Sequence, residues 1–421
     1  MSSLHSPSPP GSRPRDTLPD TPPDGRPGAL PDDGWALLFP GTGAAGAPAV
    51  RALAGSGRAA RRIVADVLDA VQEGLPRRWP SLRRVLLDDP ASYRAAAATP
   101  GVPQLSDYAT SVAVERVLRA GGAAPAFAVG QSFGEIAALV CAGAFTVTDG
   151  ARLAVGAVRV LARHGHGGGM ALLQAAPPSA ETLIGRAGAA GQVVVACVNA
   201  PELTVVAGPE ESLERVLDAA RRQGVRAGRL AVPYLSHHPA MAAAGEEWYA
   251  MIRDVPRRPL ELPVYSPVRG RAYSDGDDLH RAMADCMARP LRLPPVLRAV
   301  RDAGATVFVE AAPGDTLCQC VRLTLPRART WAPLHERSHR RRPARATSPA
   351  ASPATPASQT SPSSPGSSGG GAARVSPSDG IAARPATGPA SPAAPAGAPA
   401  GGFGSRAGVR AAQSADSPSD A

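Results

Sequence analysis

From residue 34 onward the apolar positions alternate between short continuous runs and helical stripes. Trp35-Ala36-Leu37-Leu38-Phe39 is an unbroken apolar run of the buried-strand type, stopped by Pro40-Gly41-Thr42-Gly43. Helical spacing follows over Ala59–Gln72 and Ser106–Arg119. A second strand-like run spans Ala123–Val129, with helical runs at Ile136–Ala142 and Asp149–Arg163. Strand, turn and helix in alternation predict an α/β domain with a largely parallel sheet. Between 168 and 232 the rhythm changes. Strands are predicted at Met170–Leu173, Val193–Val198, Leu203–Ala207 and Val225–Val232, with helices at Ala180–Ala187 and Ser212–Gln223. That order, β-α-β-β-α-β, is the split βαβ arrangement of a ferredoxin-like subdomain, here inserted into the larger domain. The larger domain resumes near Pro233, with a strand around Leu262–Tyr265, a helix around Leu279–Met287 and a strand at Thr306–Glu310.

Both ends lack any hydrophobic period. Residues 1–33 are rich in Pro, Ser, Asp and Gly, and residues 338–421 are Ala/Pro/Ser/Gly/Arg low complexity. Neither can bury enough apolar surface to offset its chain entropy, so both are expected to be disordered around a folded part at 34–337. Charge changes this picture little. The formal net charge is +10, but residues 326–421 alone carry eleven Arg and four acids, and residues 1–33 three Arg and five Asp. The Arg340-Arg341-Arg342 run therefore reads as a solvated tail rather than a nucleic-acid or membrane surface, and neither partner is expected. Five cysteines (Cys141, Cys197, Cys286, Cys318, Cys320) show no C-x-x-C and no metal spacing, which suits core packing in a reducing compartment. With no signal-peptide pattern and no apolar run near ~20 residues, the chain reads as soluble and cytoplasmic, and a monomer is expected.

The candidate chemistry lies at Gly130-Gln131-Ser132-Phe133-Gly134-Glu135, between a strand-like and a helix-like run. Gly-x-Ser-x-Gly in that setting is the nucleophile elbow, in which glycines allow the sharp turn that presents a serine hydroxyl above the sheet. With it the fold class becomes a hydrolase-like large subdomain with a parallel sheet, plus the ferredoxin-like small one. Serine needs a base to take its proton, and Tyr234-Leu235-Ser236-His237 supplies the candidate His237, with His238 its nearest competitor.

Four elements together resemble the acyltransferases that serve acyl carrier proteins: malonyl-CoA:ACP transacylases and the acyltransferase domains of polyketide synthases. Phe39-Pro40-Gly41-Thr42-Gly43 resembles their Phe-Pro-Gly-Gln-Gly start, and Gly130–Glu135 their Gly-His-Ser-x-Gly-Glu elbow. Tyr234–His237 is similar to their Tyr-Ala-Ser-His element, and Phe308-Val309-Glu310 with Pro313-Gly314 to their closing Phe-Val-Glu-x-x-Pro. The resemblance implies catalysis by Ser132 and His237, and an oxyanion hole from the backbone N–H groups of Phe133 and Thr42. Thr replaces Gln at 42, which a main-chain donor tolerates. Gln104 matches a family glutamine near the site; its plain reading is a polar helix-start residue. Gln131 stands where the family usually has His, a variation that some members share.

One departure bears on substrate. The family holds the free carboxylate of malonyl with an arginine 25 residues after the serine, which here is Ala157. Arg159 lies two positions on, and two helical steps rotate about 200° away. Loss of a charge-assisted clamp implies an acyl group without a carboxylate, or a tolerant site. The resemblance thus implies an enzyme acting in trans, moving an acyl group from acyl-CoA or an acyl carrier protein to a carrier's phosphopantetheine thiol, in polyketide or related specialised metabolism. An editing hydrolase using the same Ser/His dyad and a non-catalytic carrier-binding module are the alternatives. None needs a cofactor or a metal.

Overall fold

The computed structural model describes residues 34–43, 47–232 and 234–335. The predicted tails at 1–33 and 338–421, residues 336–337, and Pro233, where the larger domain was expected to resume, lie outside the described residues. In chain order the strands are β1 (Trp35–Phe39), β2 (Phe127–Gly130), β3 (Gly168–Leu173), β4 (Val194–Ala200), β5 (Leu203–Pro209), β6 (Ala227–Arg229), β7 (Val264–Ser266), β8 (Arg271–Ala272), β9 (Leu291–Arg292), β10 (Val307–Glu310) and β11 (Arg329–Trp331).

The larger sheet runs β11-β10-β1-β2-β7-β8, parallel throughout except that β8 folds back on β7. Its central strand explains the unbroken apolar run that predicted it. Trp35, Leu37 and Phe39 enter one core; Ala36 and Leu38 face the other, with Phe308, Val296 and Leu297. A parallel strand covered on both faces has no solvent side on which to place polar residues. The helices that cover it match the stripes: Arg58–Glu73, Val102–Ala120, Gly134–Cys141 and Val147–His164. Val102–Ala120 begins four residues earlier than the stripe at Ser106, because Pro103 falls in its first turn, where a missing N–H costs nothing.

The smaller sheet runs β6-β3-β5-β4-β9, and its first four strands, with helices Pro177–Arg186 and Glu210–Arg222, form the predicted ferredoxin-like unit. Its own core, including Leu173, Leu183, Val206 and Leu213, is separate from that of the larger sheet. Two expectations need correction. The strand drawn over Val225–Val232 pairs only at Ala227–Arg229, an exposed edge with little to bury. The strand drawn from Ala123 starts at Phe127, since Pro125 has no N–H to give a ladder. The fifth strand, β9, comes from outside 168–232 and lies parallel to β4, tying the two sheets together. No helix among the described residues is long and apolar enough to cross a membrane.

Candidate active site

β2 ends at Gly130, and the chain reverses within three residues into the helix Gly134–Cys141. Ser132 takes the strain of that turn, with φ of 55°, a left-handed value unusual for a residue with a Cβ. The glycines on either side are sterically required. A Cβ at Gly130 would run into the backbone of Glu135, and one at Gly134 into the carbonyl oxygens of Phe39 and Pro40. The loop after β1 is pinned to the elbow: the Gln131 N–H donates to the Phe39 carbonyl at 2.9 Å, and a Cβ on Gly41 would lie 3.6 Å from that of Ser132.

His237 meets Ser132 from 105 residues away, Oγ to Nε2 at 2.8 Å. Its backbone is left-handed too, with φ of 54°. The ring Nδ1 lies 3.1 Å from the carbonyl oxygen of Arg289. A carbonyl can only accept, so Nδ1 carries the proton and Nε2 offers its lone pair to the serine hydroxyl. The ring is 2% exposed, and burial pulls its pKa down from 6.5 to about 4, against the opposing bonds to Arg289 and Cys286. At neutral pH it is a free base, as the serine requires.

His238, the competitor, is a strut. Its Nδ1 accepts from the Ala240 N–H at 3.1 Å, and its Nε2 donates to the Gln192 carbonyl at 3.0 Å, linking it to the smaller subdomain. Both nitrogens are committed.

Ser132 and His237 lie on a cleft of about 290 Å³ that also touches Thr42, Phe133, Gln131 and Glu310. Phe133 directly precedes the elbow helix, where N–H groups have no partner within the helix. Thr42 faces it from the β1 loop, and the next residue, Gly43, donates its N–H to Asp107 at 2.9 Å. Thr42 Oγ1 and Gln104 Nε2 both lie 3.4 Å from the Tyr234 hydroxyl, so Gln104 belongs to this mouth as well as to its helix start. Gln131 donates from Nε2 to Asn199 Oδ1 at 2.8 Å across the same cleft, bridging the elbow to β4.

Behind Ser132 is a second, smaller space of about 30 Å³, lined by Ala157 together with Ile136, Leu161, Trp248, Met283 and Met287. Arg159 does not reach it; that side chain is exposed and lines a separate groove with Arg152 and Glu73. The charged residue on this cavity is Glu135, 1% exposed, which takes a hydrogen bond from the Tyr273 hydroxyl. Burial raises its carboxyl to about 7 against that hydrogen bond. No group of acidic, histidine or cysteine side chains with metal-binding geometry occurs among the described residues.

This geometry, a strained serine at a strand-to-helix turn with a buried neutral histidine across a two-sheet cleft, coincides with a sequence match. The model of the family described as "Acyl transferase domain" covers residues 39–348. The chain belongs to the acyl transferase domain family. Similar proteins are the spectinabilin polyketide synthase system protein NorA' of Streptomyces orinoci, 36% identical over 223 residues (52% of this chain, 6% of that one), and polyketide synthase GfsB of Streptomyces halstedii, 30% over 297 residues (69% and 5%). The chain therefore spans a small fraction of the length of these relatives. Among solved structures, the acyltransferase domain from module 8 of the salinomycin polyketide synthase aligns with a TM-score of 0.64 at 29% identity, over 72% of this chain and 70% of that one. The malonyl-CoA:acyl carrier protein transacylase of Xanthomonas oryzae shares the fold, with a TM-score of 0.64 at 24% identity, over 71% and 94%.

In this acyl transferase domain the motif residues Ser132, His237, Phe133, Thr42 and Gln131 converge on one cleft, Gln104 lines the adjoining groove and touches Tyr234 at their shared edge, and Ala157 lines the smaller space at the serine. Sequence reasoning missed Asn199, the Arg289 carbonyl, Asp107 and Trp248. A backbone carbonyl leaves no trace in a side-chain pattern. Asn199 carries one visible signal, a polar residue closing the apolar run of β4.

Proposed function

We propose that this domain transfers an acyl group through an ester on Ser132 to the phosphopantetheine thiol of a carrier protein. The observation that carries the proposal is the 2.8 Å contact between Ser132 Oγ and the neutral His237 Nε2, at the base of an open cleft. Ser132 Oγ attacks the thioester carbonyl while its proton passes to Nε2, and the Arg289 carbonyl steadies the imidazolium through Nδ1–H. The developing oxyanion takes the N–H groups of Phe133 and Thr42. Collapse expels the donor thiolate, which regains the proton from Nε2. The second half runs in reverse: the carrier thiol gives its proton to Nε2 and attacks the serine ester, and Ser132 is restored. The polyketide synthases among the relatives support a carrier-bound acceptor, and one neighbour of the same fold is a malonyl-transacylase in complex with its acyl-carrier protein.

The acyl group is uncharged. Among the residues lining the cavity behind Ser132 none is cationic, and Ala157 stands where a carboxylate clamp would project. A carboxylate there would lose hydration and gain no partner. Incubation with acyl-CoAs, followed by intact mass and peptide mapping, tests the proposal. An acyl adduct on Ser132 that a holo carrier protein discharges supports it; discharge by water at the same rate without carrier would make the domain a hydrolase.

A further inference from the structure

Building on that reading, we propose that Trp248 is the chain-length gauge of the acyl site, and that it restricts the enzyme to acyl groups of acetyl to propionyl size. The deletion of a long cationic side chain at Ala157 ought to leave a roomy pocket. It does not: an indole walls the space beside Ala157. Trp248, from the helix Ala242–Ile252, is 3% exposed and walls the cavity beside Ser132 and Ala157. Two independent contacts fix it there. Its Nε1–H donates to the Leu153 carbonyl at 3.1 Å. Its ring packs against Gly156, where a Cβ would come within 3.0 Å of both Cδ1 and Nε1. The consecutive small residues Gly156 and Ala157 thus admit the indole and hold it in one orientation.

What remains is about 30 Å³. A benzene-sized cavity measures ~150 Å³, so this one holds one or two carbon atoms beyond the carbonyl. Met283 and Met287, the opposite walls, are flexible and can yield slightly, whereas a hydrogen-bonded indole cannot. Each methylene beyond the limit must force the wall or remain in the cleft.

The test compares acetyl-, propionyl-, butyryl- and hexanoyl-CoA as donors, reading the rate at which each acyl mass appears on Ser132. Wild type should load acetyl and propionyl faster than hexanoyl by about ten-fold or more. Trp248→Leu should raise the hexanoyl-to-propionyl ratio by about ten-fold, while Trp248→Phe, which keeps a flat ring, should change it by less. In the opposite sense, Ala157→Val should slow propionyl relative to acetyl; this variant deletes no core volume and carries the test if Trp248→Leu fails to fold. The proposal is overturned if wild type loads hexanoyl as fast as propionyl, or if folded Trp248→Leu keeps the wild-type profile. Absence of any adduct from any donor would instead overturn the serine-ester reading beneath it.

Discussion

Two spaces meet at Ser132, and they are built on opposite terms. On the proposed mechanism the cleft in front, about 290 Å³, works through polar groups: the His237 ring, the N–H groups of Thr42 and Phe133, and the Gln131–Asn199 bridge. The cavity behind, about 30 Å³, is walled mostly by apolar side chains from the helices Gly134–Cys141, Val147–His164 and Ala242–Ile252, and by Met283 and Met287, with Glu135 its buried acid. In the first, position is everything, since each donor must face a charge that exists only during reaction. In the second, volume and the absence of a cation decide, and many sequences could supply those. On the proposed function, chemistry is held by strained turns and selectivity by packing.

Removing the nucleophile breaks this comparison most severely. Ser132→Ala should show no acyl adduct by intact mass with any donor, and an adduct persisting on another residue would refute the assignment. The next effect separates adjacent histidines. His237→Ala should slow acylation by about a thousand-fold, the usual worth of a positioned base, whereas His238→Ala should cost less than about ten-fold. Equal losses would mean that the strut and the base are wrongly distinguished. Because burial sets the His237 pKa at about 4, kcat/KM for wild type should stay level from pH 7 to about 5 and fall below that as the base is protonated. A midpoint near 6.5 would show that the ring is open to water.

The rear space is probed by smaller changes. Ala157→Arg combined with Trp248→Ala, which gives the guanidinium room, should raise the malonyl-to-propionyl loading ratio about ten-fold. Glu135→Gln tests the buried carboxyl. Its folded pKa of about 7 lies above its ordinary 4.5, so the folded state holds the proton more tightly between those values, and wild-type stability declines as pH rises through that window. The loss should be on the order of 2–3 kcal/mol, absent from Glu135→Gln, with denaturant unfolding at pH 4.5 and 7.5 as the readout. His237 acts in the opposite sense, losing stability as pH falls from 6.5 toward about 4, but equally in both proteins, so the difference between them isolates Glu135.

The two spaces also differed in how far they could be read in advance. The cleft was legible because its elbow demands glycine at 130 and 134, and because the Tyr234–His237 element resembles the family's. The ferredoxin-like unit was legible because its strands and helices are long enough to show a period. The cavity was not. Trp248 lies on a helix whose apolar positions Ala244, Trp248 and Ile252 are spaced by four, yet nothing in that stripe says which pocket it walls. The helix Leu293–Asp302, outside the expected elements, carries Pro294 and Pro295 in its first turn, where proline is compatible with a helix. β8 and β9, at two residues each, are too short to carry any alternation. Ala157 could be placed by carrying the family resemblance over from Ser132, but its consequence needed the neighbours that fill the space beside it.

Competition between malonyl-CoA and propionyl-CoA for wild-type Ser132, read as the two adduct masses formed from an equimolar mixture, tests the claim of an uncharged acyl site most directly. Propionyl should be loaded faster by about ten-fold or more, a difference of ~1.4 kcal/mol in the barrier. Malonyl loaded ten-fold faster would contradict the account, and would mean that a cation reaches the acyl carboxylate from a side other than position 157.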